Sequence, residues 1–277
     1  MLTEQQLIAI EQLQKECESF EPIQLKLNWE MLKDRGSNQL DFLHYENDEL
    51  VAFLGLYAFG STVEVCGMVK PSERRNGYFQ QLLQQGMERV KQNEYKKILL
   101  NSPSKSDGGK AFLLKQGAAY AFSEHQMEWQ EVPILKVEGV TLRPAIAADF
   151  DMRIRLSIEA FGEEEADAIE TENMFNKEND TEMLMINVGG ETIGKIRVSV
   201  KDGQAWIYGF CILPEQQGKG IGRKVLRQVI IDQSSAGHSV HLEVETKNDH
   251  ALGLYESVGF KSVHTQDYYT YTLKQGE

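Results

Sequence analysis

Between Pro214 and Ile230 the chain reads PEQQGKGIGRKVLRQVI. Gly218, Gly220 and Gly222 stand at alternate positions. An amphipathic run follows at once, with Ile221, Val225 and Val229 at helical spacing and Leu226 and Ile230 beside them. A strand-like run, AWIYGFCIL (205–213), comes before it. Strand, glycine-rich turn and helix make an anion site. The first N–H groups of a helix have no intrahelical acceptor, and the helix dipole adds positive potential there. Glycine leaves no Cβ between the backbone and a diphosphate. A pyrophosphate is therefore the expected occupant, with Gly220 at its closest approach and no room there for a side chain; taken alone, the loop also reads as a mere turn. Two rival loops fail on inspection. The dinucleotide fingerprint needs a third glycine where Val225 stands, and the Walker loop needs Ser or Thr after Gly218-Lys219, where Gly220 stands.

The same pattern occurs earlier. MVKPSERRNGYFQQLL (68–83) sets Pro71 and Gly77 against Pro214 and Gly220, both 143 residues apart. Leu99 and Leu242 share that offset, and Gly117 and Gly259 stand 142 apart. Each stretch follows a strand-like run, STVEVCGMV (61–69) in the first case, and each run follows a hairpin signal, ENDELVAFLG (46–55) or VGGETIGKIRV (188–198). One architecture is written twice. The expected boundary is VPILKVEGV (132–140), separating 1–135 from 139–277. VTLRPAIAADF (140–150) then reads as a fresh strand with a helix starting at Asp149. The first copy opens on helices instead. Its N-terminus carries a capping box, Thr3 with Gln6, before Leu7, Ile10, Leu13, Cys17 and Phe20 at helical spacing. The fold class is a mixed α/β layer.

Composition narrows the partners. A net charge of −13 argues against nucleic acid. Cys17, Cys66 and Cys211 are odd in number and widely spaced, which reads as reduced thiols in a cytoplasm, with no disulfide framework and no metal site. No apolar run is long enough to span a membrane, and the first residues lack the features of an export signal.

Gln217-x-x-Gly220-x-Gly222 resembles the acetyl-CoA signature of the GCN5-related N-acetyltransferase (GNAT) superfamily. LEVETKNDHALGLYESVGF (242–260) matches that family's closing motif through Asn248, Ala251, Leu254-Tyr255 and Gly259-Phe260. The resemblance covers 139–277 well and 40–130 more loosely, and the doubled arrangement is similar to tandem members of the family. It implies two tandem acyl-CoA N-acyltransferase domains, each a mixed twisted sheet flanked by helices. It also implies an enzyme that moves an acetyl group from acetyl-CoA directly to a primary amine, with no metal, as monomer or homodimer. Acetyl-CoA would be held by backbone groups of Phe210, Cys211 and Ile212 and by the loop Gln217, Gly218, Lys219, Gly220, Ile221, Gly222 and Arg223, with Asn248 and Tyr255 closing the site.

Each of these residues has a second reading. Tyr255 matches the family's general acid, since a phenol keeps its proton at neutral pH and can give it to the leaving thiolate; it can also simply pack under the last strand. Asn248 matches a CoA contact or serves as a turn residue. Glu243 matches the base of relatives that acetylate ribosomal-protein N-termini, with Glu245 behind it; either can be a charged residue on a sheet face. Cys211 is a small buried thiol rather than a nucleophile. From Glu159 to Glu182 ten acids accumulate, among them Glu163, Glu164, Glu165 and Glu172, with Lys177 the single base. They form either a solvated face or a negative mouth for a polycationic amine. The first copy keeps Arg74-x-x-Gly77 but places Phe79, Ser106 and Leu113 at the positions of Gly222, Asn248 and Tyr255. Leucine cannot protonate a thiolate, so the first copy reads as degenerate. The reading from a different class is an acetyl-CoA-binding sensor or interaction module without catalysis.

Overall fold

The computed structural model describes residues 1–36, 39–134, 137–176 and 181–273. Part of the boundary segment 132–140 and the acidic-span residues Lys177, Glu178 and Asp180 lie outside them. Two compact units emerge. The first holds Met1–Ser123 and the chain from His264 onward; the second holds Glu124–Val263.

The first unit begins with α1 (Glu4–Phe20) and α2 (Trp29–Asp34). The capping box is formed: Gln6 N donates to Thr3 Oγ1 at 3.2 Å and Thr3 N to Gln6 Oε1 at 2.9 Å. Then come β1 (Asp41–Glu46), β2 (Glu49–Phe59), β3 (Thr62–Val69), α3 (Tyr78–Gln92), β4 (Lys97–Pro103), α4 (Asp107–Lys115) and β5 (Ala119–Trp129). The second unit runs β6 (Thr141–Pro144), α5 (Phe150–Phe161), α6 (Glu165–Phe175), β7 (Thr181–Val188), β8 (Glu191–Lys201), β9 (Gln204–Ile212), α7 (Ile221–Ser235), β10 (Ser239–Glu245), α8 (Asp249–Glu256) and β11 (Phe260–Tyr271). Among the described residues no helix is long and apolar enough to cross a membrane.

Within each unit the strands follow the same plan, an antiparallel meander and then a parallel step. The meander is β1-β2-β3 in one unit and β6-β7-β8-β9 in the other, and the parallel steps are β3 with β4 and β9 with β10. The closing strands are exchanged. Glu124–Glu128 of β5 pair with β10 in the second unit, and Gln266–Tyr271 of β11 pair with β4 in the first.

The repeat holds in register everywhere but in the ladder of β8 with β9. The two-residue hairpin turns fall at Asn47–Asp48 and Gly189–Gly190, all four residues at positive φ as such turns require. Register slips fall at His44/Tyr45 and at Ile186/Asn187, 142 residues apart. Thr62 faces Lys97 and Gln204 faces Ser239, again 142 apart. Leu100, not Leu99, is therefore the counterpart of Leu242. The offset of 143 holds only around the glycine loop, because β9 carries one residue more than β3. Lys195 faces Cys211 and Arg197 faces Tyr208, so Gly209 and Phe210 both oppose Ile196 in a β-bulge, with Gly209 at φ +53°. The matching β2–β3 ladder runs without a slip from Ala52/Val69 to Phe59/Thr62.

Helix α7 buries the face its sequence marks out. Val225, Leu226, Val229 and Ile230 pack against Ile207, Val240 and Leu242 of the sheet. Each such side chain contributes roughly 1.5–3 kcal/mol. On the opposite face a smaller cluster, Leu156, Met185, Cys211 and Leu213, lies under α5.

Candidate active site

In the second unit β9 and β10 pair in parallel only from Gln204/Ser239 to Ile207/Leu242. Beyond that point β9 bulges and the two strands end beside the glycine loop. A single turn, Pro214–Gln216, leads into the loop. Gly218 and Gly220 each have φ +75°, and nothing lies within 4 Å of where a Cβ would stand on either. The left-handed backbone, not crowding by the chain itself, favours glycine there. Gly222 is different: a Cβ would meet Leu254 Cδ2 at 3.1 Å and Phe210 Cζ at 3.6 Å. No side chain caps α7, so its first N–H groups face outward beside Lys219 and Arg223.

The other loop side chains brace the loop. Gln217 Nε2 donates to Ile212 O at 2.9 Å, Lys219 Nζ to Gln216 Oε1 at 2.8 Å, and Arg223 Nε to Ser257 Oγ at 3.1 Å. Ile221 is buried in the core.

Helix α8 brings up Tyr255. Asn248 is its N-cap, with Ala251 N donating to Asn248 Oδ1 at 3.1 Å, so this side chain has a structural task whatever else it meets. Tyr255 packs edge-on to Phe260, ring centroids 6.1 Å apart, and its hydroxyl makes no hydrogen bond within the described residues. Burial pushes the phenol up to about 12, so it holds its proton at neutral pH.

Glu243 is half-buried on β10, opposite Gln126 of β5. Successive strand residues point to opposite faces. Leu242 and Val244 share the core that holds Tyr255, so Glu243 lies on the other face, with His241, which stacks on Trp206 at 4.9 Å. The two candidate proton-transfer groups thus flank the β9–β10 gap from its two faces. Glu245 is exposed at the strand end. Cys211 is buried and its Sγ lies 4.0 Å from Leu156 O; burial pushes the thiol up to about 11, which fits an inert core thiol.

The acidic span divides. Glu164, Glu165, Asp167 and Glu170 are exposed, and Glu159 pairs with Arg155 at 2.7 Å. Glu163 is half-buried, its carboxyl raised mainly by burial, and among the described residues its Oε2 has no partner. Glu172 belongs to neither sequence reading. It is fully buried in α6, 2.5 Å from Lys195 Nζ of β8, and paired also with Arg153 of α5. Lys195 donates further to Ser157 Oγ at 2.7 Å and Arg153 O at 2.9 Å, and Arg153 Nη1 to Asn176 Oδ1 at 2.7 Å. The sequence reading passed over this buried triad and the bulge beside it. The bulge had left a trace, the change of repeat offset from 142 to 143.

In the first copy the loop is similar and its surroundings are not. Gly77 has φ +90°, and Arg75 takes the left-handed place of Gly218 at φ +75°. Arg74 Nε donates to Val69 O at 3.3 Å, the bond Gln217 makes to Ile212, while its Nη1 pairs with Glu21 at 2.6 Å. Ser106 caps α4 as Asn248 caps α8, and Leu113 is buried in place of Tyr255. Past the parallel pairing, Asn101 Nδ2 reaches Cys66 Sγ at 2.8 Å across the space between β4 and β3.

The model of the Acetyltransferase (GNAT) family matches residues 6–118 and 150–260. The N-alpha-acetyltransferase RimI of Mycobacterium tuberculosis is 52% identical over 50 residues, a match spanning 18% of this chain and 30% of that protein. The chain thus covers less than a third of that curated relative. Among solved structures, a GCN5-related N-acetyltransferase from Sphaerobacter thermophilus superposes with a TM-score of 0.78 at 19% identity, covering 95% of this chain and 91% of that one. A tandem GNAT protein from the clavulanic acid biosynthesis pathway superposes with a TM-score of 0.69 at 14% identity, covering 97% and 95%. At such identities the structures speak for the fold. With family matches over both copies and the glycine loop, parallel step and α8 in place, the chain belongs to the GNAT acetyltransferase family and carries that fold in tandem.

Proposed function

We propose that the chain transfers an acetyl group from acetyl-CoA directly to a primary amine, and that the second copy does the work. The observation that carries this reading is the β9–β10 gap. It is bulged beside an uncapped helix N-terminus and has Tyr255 on one face and Glu243 on the other. The corresponding place in the first copy has no bulge, a leucine for the tyrosine, and a side-chain bond across the strands. The first copy then serves as a non-catalytic partner domain.

The pyrophosphate would rest on the N–H groups at Gly220, Ile221 and Gly222, with the pantetheine arm along Phe210, Cys211 and Ile212. A neutral amine attacks the thioester carbonyl carbon, and a backbone N–H of the bulged strand stabilises the oxyanion. The ammonium proton leaves to Glu243 or to water. As the C–S bond breaks, sulfur takes the proton of Tyr255, which stays on the phenol until that moment because burial raises its pKa. The exposed acids Glu164, Glu165 and Asp167 favour a cationic acceptor on the α5–α6 side. The N-alpha-acetyltransferase activity for which RimI is named makes a peptide α-amine one candidate beside small polyamines. Incubating the protein with acetyl-CoA and a panel of amines, read by thiol release, tests the proposal. Binding of acetyl-CoA without amine-dependent thiol release would instead favour a sensor.

A further inference from the structure

Lys195 and Arg197 of β8 bracket the bulge, the one facing Cys211 and the other Tyr208. Helix α6 holds both. Lys195 meets Glu172 at 2.5 Å, and the Arg197 guanidinium lies 3.8 Å from the ring centre of Phe175 and 4.8 Å from that of Tyr208. The three ammonium protons of Lys195 have three acceptors, Glu172, Ser157 and the Arg153 carbonyl, so its side chain is fixed on α5 and α6 together.

Stability does not call for this arrangement. Arg153, Glu172 and Lys195 are almost completely buried, and burying ions costs more than burying apolar groups of similar size. The first copy shows the apolar solution in the same fold. Phe53, fully buried, takes the place of Lys195 and faces Met68, and Gly55 takes the place of Arg197; there β3 runs without a bulge. Cations bracket the strand only where it is bulged.

We infer that Lys195 is a positioning residue, with Arg197 as a second grip. Anchored on α5 and α6, it holds β8 against Cys211 and so keeps the bulge of β9, and the gap to β10, in the form that receives acetyl-CoA. This rests on the function proposed above. It also links the helices on the acceptor side to the strand that takes the cosubstrate.

The test removes all three charges together, Arg153→Met with Glu172→Leu and Lys195→Met, so that no buried ion is left unpaired. The readouts are thermal unfolding and calorimetric titration of acetyl-CoA. The expected result is a folded protein that melts cooperatively and binds acetyl-CoA at least tenfold more weakly. Arg197→Met, which leaves the triad intact, should weaken binding severalfold and Arg197→Lys by less. Wild-type affinity in the folded triple variant overturns the inference. If that variant does not fold, Lys195→Met alone, which leaves the buried Arg153–Glu172 pair intact, repeats the test, and failure of both to fold assigns the triad to stability and overturns it equally. A wild-type chain that binds no acetyl-CoA sinks the proposed function and this inference with it. Wild-type binding with unchanged variant affinity sinks the inference alone.

Discussion

Phe79 and Phe210 occupy one place from opposite sides. In the first copy the ring of Phe79, on the helix after the glycine loop, presses on Gly67 of the strand, its Cε2 2.5 Å from where a Cβ would stand. In the second copy the ring of Phe210, on the strand, lies against Gly222 of the helix, its Cζ 3.6 Å from where a Cβ would stand. Large and small have changed partners while the volume is conserved, which a packed core tolerates. Going from the first copy to the second, the bulk moves from helix to strand, so the bulged strand of the second copy brings its own filler and leaves the helix start bare.

That bareness sets the first prediction. Gly220→Ala puts a side chain at φ +75° and should cost about 1–2 kcal/mol of stability through backbone strain alone. Gly220→Asp adds a negative charge where phosphate is expected and should abolish acetyl-CoA binding in a folded protein. Gly77→Asp is the control and should leave most thiol release intact. Circular dichroism and calorimetric titration check both; turnover lost only in the Gly77 variant would move the active site to the first copy.

Tyr255→Phe should lower kcat by roughly 10- to 1000-fold with acetyl-CoA affinity nearly unchanged. The buried phenol also bears on stability. Its folded value, about 12 against the usual 10, means the folded state holds the proton more tightly. That contribution is complete below pH 10 and is lost as pH rises through 12, roughly 3 kcal/mol in all. Denaturant titrations of wild type and Tyr255→Phe between pH 9 and 12 should diverge in that sense. Parallel curves would place the hydroxyl in water.

Deleting Gly209 should turn β9 into a strand like β3. The flanking register already exists in the first copy, so the protein should fold, with its melting temperature lowered by several degrees. Acetyl-CoA affinity should fall at least tenfold. Retained affinity would show that the bulge is not part of the site.

The acidic loop yields a prediction that separates its members. Glu163→Gln should raise the amine KM more than Glu164→Gln or Glu165→Gln, because Glu163 alone of the three is half-buried, with an oxygen that has no partner among the described residues. Its carboxyl is raised by burial, so its contribution to stability is present at low pH and lost as pH rises through its folded value; Glu163→Gln should flatten that dependence. Equal KM values for all three at low salt would leave the span as a solvated face.

The tandem plan, the hairpins, the glycine loop and α8 were legible because each is a local matter of turn residues, periodicity and spacing. The bulge was half legible. Pro71/Pro214 at 143 and Gly117/Gly259 at 142 differ by one residue, and only the ladder shows where that residue sits. The triad was not legible, since Lys195 in GETIGKIRV and Glu172 in an acid-rich helix look like surface charge until α5 and α6 close over β8. Glu172 is the instructive case: Glu170, two residues away and about 200° round the helix axis, is exposed, and that rotation is enough to change the role of a glutamate.

The exchange of closing strands bears on how the protein is made. Strand β4 finds its neighbour in β11, which leaves the ribosome only after the whole second copy. Until then β4 presents an open edge, and the nascent first copy cannot finish its own sheet. Folding is therefore bound to completion of the chain: a product stalled between the copies carries a bare strand edge, a ready target for chaperones and proteases.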